Sequence, residues 1–66
     1  MNPDAERRAK KRFFARQLKA AERDEKNADA ALLEWPDDKR IELDAHRCRV
    51  RRLELELALE KLEAAA

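Results

Sequence analysis

The chain has 66 residues and a formal net charge of +1, and charged side chains make up 47% of it. It holds one cysteine and no glycine, serine, threonine or tyrosine, which excludes an internal disulfide framework, a glycine-rich phosphate loop and a hydroxyl nucleophile. No segment reaches the roughly 20 apolar residues of a transmembrane helix. A lone cysteine suits a reducing compartment, so we expect a cytoplasmic protein. The short length predicts a single domain over residues 1–66.

The first predicted helix spans about residues 3–34. Pro3 suits the first helical position, where its missing N–H would be unpaired anyway. Asn2 is a favourable N-cap, and Asp4 and Glu6 complement the positive end of the helix dipole. Apolar residues recur at steps of three and four, with Glu25 as an interruption, and give this helix one apolar face. The large members of this face, which we assign to the hairpin core, are Phe14, Leu18, Leu32 and Trp35.

A turn is predicted over about residues 35–37. The ring of Pro36 would clash with the carbonyl of Leu32 in a continuing helix, and it disfavours helical geometry at Trp35. A short connection favours antiparallel neighbours, so the predicted fold class is all-α, a coiled-coil-like two-helix antiparallel hairpin. A kinked continuous helix is the alternative, because a tight reversal without glycine is less common. We expect Asp37 or Asp38 to cap the second helix.

The second predicted helix covers about residues 38–63 and contains the stretch LELELAL, whose alternation would also suit a β-strand. Leucine, glutamate and alanine favour a helix, and at 100° per residue the alternation resolves into two opposed apolar stripes. The stripe assigned to the hairpin core contains Ile41, Cys48, Leu55, Leu59 and Leu62. The other, the outer stripe, consists of Leu43, His46, Val50, Leu53 and Leu57. A helix that is apolar on two sides is normally buried on two sides, so we expect self-association or a partner protein to complete a bundle.

Charge placement also favours the hairpin. Residues 1–20 are mainly basic, residues 21–44 are mainly acidic, and residues 45–66 begin with a cluster of arginines. An antiparallel hairpin sets the acidic part of the first helix against those arginines. We expect Glu25 to meet Arg47 or Arg51, and Arg52 to meet Glu22 or Glu25.

The stretch RRAKKRFFAR, residues 7–16, is the strongest local signal for a binding site. Lysines and arginines beside phenylalanines can hold phosphates and stack on bases, or they can hold a helix on anionic lipid. A solvated basic helix end is the structural alternative. The candidate nucleic-acid contacts are Arg7, Arg8, Lys10, Lys11, Arg12 and Arg16.

His46 and Cys48 do not form a metal or catalytic site in this prediction. Two residues apart on a helix, they point to different faces and cannot share one ion. Neighbouring arginines could lower the pKa of Cys48, but no base faces the thiol and two helices offer no pocket. We therefore expect no enzymatic activity, metal, cofactor or small-molecule substrate.

The predicted function is that of a non-enzymatic helical-hairpin interaction or assembly protein, which oligomerises or docks on a larger complex. One alternative is a small nucleic-acid-binding accessory protein that uses the basic N-terminal helix. Another is an inhibitor that docks on a nucleic-acid enzyme by charge mimicry, through the acidic middle of the chain from Glu22 to Asp44.

Overall fold

The computed structural model describes residues 3–64, which form two α-helices joined by a short turn. Helix α1 covers Pro3–Glu34 and helix α2 covers Lys39–Ala64. The molecule measures 51 × 15 × 13 Å, whereas a continuous helix over residues 3–64 would be about 93 Å long. The two helices therefore fold back on each other, and the predicted all-α hairpin is confirmed. The expected N-cap, Asn2, lies outside the described residues.

The reversal between the helices is a β-turn without a left-handed residue. The amide of Trp35 still donates to the carbonyl of Ala31, at 2.9 Å, as the last bond in the α1 pattern. The amide of Asp38 then donates to the carbonyl of Trp35 at 3.2 Å, with Pro36 at the turn position where its fixed φ is favoured. No described residue has a positive φ, so this reversal needs no glycine.

Asp38 caps the N-terminus of α2. Its carboxylate oxygen Oδ1 accepts hydrogen bonds from the amides of Arg40, at 2.9 Å, and Ile41, at 3.4 Å. Its carbonyl accepts the first intrahelical bond, from the amide of Glu42 at 3.0 Å. These are the bonds of an N-cap residue, so Asp38 takes the role for which Asp37 was the other candidate.

The interface between the helices is narrow and built on small residues. Ala21, Ala28 and Ala45 are the buried apolar residues within residues 3–64, and no large side chain there is fully buried. A layer of only two helices leaves each inward-facing side chain open to solvent at its edges. The hairpin on its own therefore lacks a conventional hydrophobic core.

Most residues assigned to the hairpin core lie on the inward faces, where they are half-buried. These are Phe14, Leu18, Leu32, Ile41, Cys48, Leu55, Leu59 and Leu62. Trp35 differs from the prediction, since its side chain is 61% exposed. Helix α1 ends at Glu34, and a heptad step places a side chain on the inner face only while the backbone stays helical. Trp35 belongs to the turn and leaves most of its side chain exposed to solvent.

Glu25 interrupts the apolar face of α1 and is held by arginines of α2. Arg52 donates from Nε to the carboxylate of Glu25, and from Nη1 to Glu56 Oε1 at 2.8 Å. The Nε atom of Arg49 lies 3.9 Å from Glu25 Oε1. The hydrogen bond to Glu25, followed by the one to Glu56, raises the pKa of Arg52, which keeps this guanidinium charged.

The predicted pairing of Arg52 with Glu25 is thus confirmed, while the second partner of Glu25 is different. Arg49 takes the place expected for Arg47 or Arg51. The Nη2 atom of Arg51 instead donates to Gln17 Oε1 at 3.1 Å. These polar contacts fix the register of the two helices more than they add to stability, because partly exposed ion pairs are individually weak.

Candidate interaction surfaces

The outer stripe of α2 is exposed along its whole length. Its apolar residues range from 39% exposed at Val50 to 50% exposed at Leu43 and Leu57, and Leu53 is 49% exposed. His46, the polar member of the stripe, is also exposed. The stripe spans about 21 Å from its first to its last leucine, at 1.5 Å per residue.

The outer stripe faces away from α1. At 100° per residue, its centre lies about 170° around the helix axis from the centre of the inward face. The observed burial agrees with this geometry, because Ala45 is buried, and Ile41 and Leu55 are half-buried, on that inward face. Helix α1 therefore covers one side of α2 and leaves the second apolar side uncovered.

The hairpin has a larger accessible surface area than is expected for a compact folded protein of the same mass. Its accessible area is 5578 Å², whereas a folded monomer of 7.8 kDa is expected to expose about 4,400 Å². The excess is about 1,200 Å² by this scaling. An elongated two-helix layer accounts for this excess, and the outer stripe contributes apolar surface to it.

The structure does not bring the six predicted nucleic-acid contacts together. Arg7 and Lys11 lie beside the inward face of α1 and are half-buried. Lys10 is exposed but lies about 160° around the helix axis from the centre of the sector that the other exposed cations share. The members that do share the outward face are Arg8, Arg12 and Arg16.

That outward face carries further cations that the sequence cluster does not include. Lys19, Arg23 and Lys26 continue the line of exposed cations at steps of three and four residues. We call the whole set the basic row, and its members are Arg8, Arg12, Arg16, Lys19, Arg23 and Lys26. The signal that finds the added members is helical spacing, which a search for adjacent basic residues overlooks.

The basic row is free of acidic residues over about 27 Å of helix. It occupies a sector of about 80° around the axis of α1, opposite the face that packs on α2. Glu22 and Asp24 lie outside the sector, one on each side, and Glu25 points to α2. Within residues 3–64, no cation of the row forms an ion pair.

The two adjacent phenylalanines have different environments. Phe14 is half-buried on the inward face, while Phe13 is exposed. Their ring centroids are 5.6 Å apart at an interplanar angle of 67°, an edge-to-face arrangement that steadies both rings. Phe13 lies about 100° around the helix from the centre of the basic row, so it stands beside the row and not within it.

Cys48 is a half-buried free thiol with a raised pKa. Burial is the largest cause of the raised pKa, and the carboxylates of Asp44, Asp24, Glu25 and Asp29 raise it further. The lowering that neighbouring arginines could cause is not found, because burial and these four carboxylates outweigh it. No group of histidine, cysteine, aspartate and glutamate within residues 3–64 could hold a metal ion.

Comparisons with protein-family models, with curated proteins and with solved structures find no match for this chain. Among the described residues, neither helix contains a segment with the length and hydropathy needed to cross a membrane. The candidate interaction surfaces are the outer stripe on α2 and the basic row on α1.

Proposed function

We propose that this chain is a non-enzymatic interaction protein that self-associates through the outer stripe, with α2 of one copy packed on α2 of a second. The observation that carries the proposal is the exposure of Leu43, Val50, Leu53 and Leu57 on the side of α2 that α1 does not cover. Large contiguous apolar surfaces on small proteins mark interaction sites.

A second copy is supported by the area available. A stable protein–protein interface buries about 800 Å² on each partner. The whole hairpin exceeds the surface expected for a monomer of its mass by about 1,200 Å², so burying about 800 Å² on each copy would bring its accessible area closer to that of a compact protein. Association would also bury side chains of the outer stripe that the hairpin leaves about half-exposed, in a second helix–helix interface between the two α2 helices.

Antiparallel pairing of the two α2 helices is supported by their charges. Arg47 and Arg49 precede the midpoint of the outer stripe, and Glu54 and Glu56 follow it. Antiparallel copies would place the arginines of one beside the glutamates of the other. A parallel pair would instead stack His46 on the same residue of the second copy inside an apolar seam. The proposed assembly is therefore an antiparallel dimer of four helices.

Sedimentation across a concentration series tests this proposal. The variants Leu53→Lys and Leu57→Glu should each weaken association, while Leu33→Lys serves as a matched control at an 86% exposed leucine outside the stripe. Burying the remaining half of Leu53 in two copies is worth roughly 1.5–3 kcal/mol. That energy corresponds to a loss of affinity of at least about tenfold.

Two outcomes would overturn self-association. One is a wild-type chain that stays a folded monomer at every concentration. The other is a dimer whose dissociation constant is unchanged by Leu53→Lys or changes equally in Leu33→Lys. Retained helical circular dichroism in each variant shows that the change in mass reflects association and not unfolding.

A further inference from the structure

The basic row on α1 is a second surface with its own chemistry. It combines six exposed cations, no acid within its sector, and no ion pair to residues 3–64. Charged residues of an ordinary solvated helix alternate in sign and pair with neighbours three or four residues away. We propose that the basic row binds the phosphate backbone of a nucleic-acid duplex.

The dimensions of the row fit such a backbone. Its six cations are spread over about 27 Å, or roughly one cation every 5 Å. A DNA duplex carries one negative charge about every 1.7 Å of its axis, so several phosphates lie within reach of a helix laid along or across it. Four of the six cations are arginines, whose guanidinium groups form paired hydrogen bonds with phosphate oxygens.

A lipid surface fits the row less well than a duplex. A helix that lies in a membrane interface inserts large apolar side chains next to its cations. Most residues that border the row are small, such as Ala9, Ala15 and Ala20; the exposed Phe13 stands outside its sector, and the apolar face of α1 already packs on α2. The hairpin would have to open before α1 presented an apolar face to lipid.

A single strand is also a poorer match. Proteins that bind single strands combine a basic groove with several aromatic side chains on which bases stack. Phe13 is the exposed aromatic residue nearest the middle of the row, and it lies outside the sector of the cations. Glu22 and Asp24 flank the row and would oppose deep entry into a groove, so the expected contacts are to phosphates and carry no sequence preference.

Fluorescence anisotropy with labelled duplexes tests the proposal. The probes are DNA and RNA duplexes of about 20 base pairs, close to two helical turns, and vesicles of anionic phospholipid serve as a third arm. Six neutralised phosphates predict a slope of log affinity against log salt of about −5, or a loss of roughly a thousandfold between about 50 and 200 mM salt. This experiment does not depend on self-association, and the Leu53→Lys variant should bind duplex through the same row.

A matched pair of triple variants locates the binding surface. The row variant combines Arg12→Gln, Arg16→Gln and Lys19→Gln. The control variant combines Lys10→Gln, Lys39→Gln and Arg40→Gln, which removes the same charge from exposed positions outside both the row and the proposed dimer interface. Glutamine is a good helix former, so both variants should keep the hairpin. The row variant should lose about three units of salt slope, while the control should keep the wild-type slope.

The proposal is overturned if the wild-type chain fails to bind either duplex at low salt, or binds vesicles alone. It is also overturned by an equal loss in the two triple variants, because overall charge and not the row would then govern affinity. Binding to DNA and RNA duplexes with similar slopes is the expected result, since both present a continuous phosphate backbone.

Discussion

Replacing Ala21 with leucine should destabilise the hairpin by about 1–3 kcal/mol, the usual cost of adding methylene groups to a filled site. Ala21 is 1% exposed, so a larger side chain has no free space and must push the helices apart. In a domain of this size, 1 kcal/mol moves the melting temperature by about 4–8 °C. Thermal unfolding followed by circular dichroism should therefore show a decrease of roughly 5–20 °C.

Ala30→Leu is the matched control, because it makes the same substitution on the same helix at an exposed position. Its melting temperature should stay near that of the wild type, as for most surface substitutions. Both variants are measured at one protein concentration, since association makes the melting temperature concentration-dependent. An Ala21→Leu melting temperature equal to or above the wild-type value would show that the helices do not meet closely at this residue, as in an open rod.

Two further predictions concern the cap and the thiol. Asp38→Ala should cost about 1 kcal/mol of unfolding free energy while Asp38→Asn costs less, because asparagine keeps an oxygen for the amides of Arg40 and Ile41; equal losses in denaturant titrations would contradict this. Cys48 should react with iodoacetamide more slowly than a free cysteine peptide at the same pH, because its raised pKa leaves less thiolate. Folding favours the protonated thiol, so this contribution to stability is complete below the unfolded pKa, about 8.5, and is lost as pH rises through the folded value. A reaction rate equal to that of the peptide would contradict the assigned environment.

Much of the fold could be predicted from the sequence, because it follows from the helix break, the helix cap and the spacing of apolar residues. Pro36 prevents α1 from continuing, Asp38 supplies the cap that starts α2, and the three- and four-residue steps identify the inward faces of both helices. The pairing of Glu25 with Arg52 could also be predicted, because an antiparallel reversal at Pro36 leaves these residues few other positions.

The features that could not be predicted from the sequence depend on where each helix ends and on which residues share a helix face. The heptad step that includes Trp35 continues past the end of α1, so the pattern alone cannot reveal that Trp35 is exposed. The basic cluster at residues 7–16 mixes several faces, and only the helical spacing separates Arg7 and Lys11 from the basic row. The raised pKa of Cys48 comes first from burial, then from Asp44 on the same helix and from acids that the fold brings across from α1, and neither the burial nor the acids of α1 can be read from its neighbours in the sequence.

The outer stripe and the basic row lie on opposite edges of the hairpin, and this arrangement determines how many duplexes a dimer could bind. Two copies joined through α2 would form a flat array in the order α1, α2, α2, α1, with the two α1 axes roughly 24–30 Å apart. Their cations would then face in opposite directions. Such a dimer would bridge two separate duplexes, one on each rim, and could not enclose a single one.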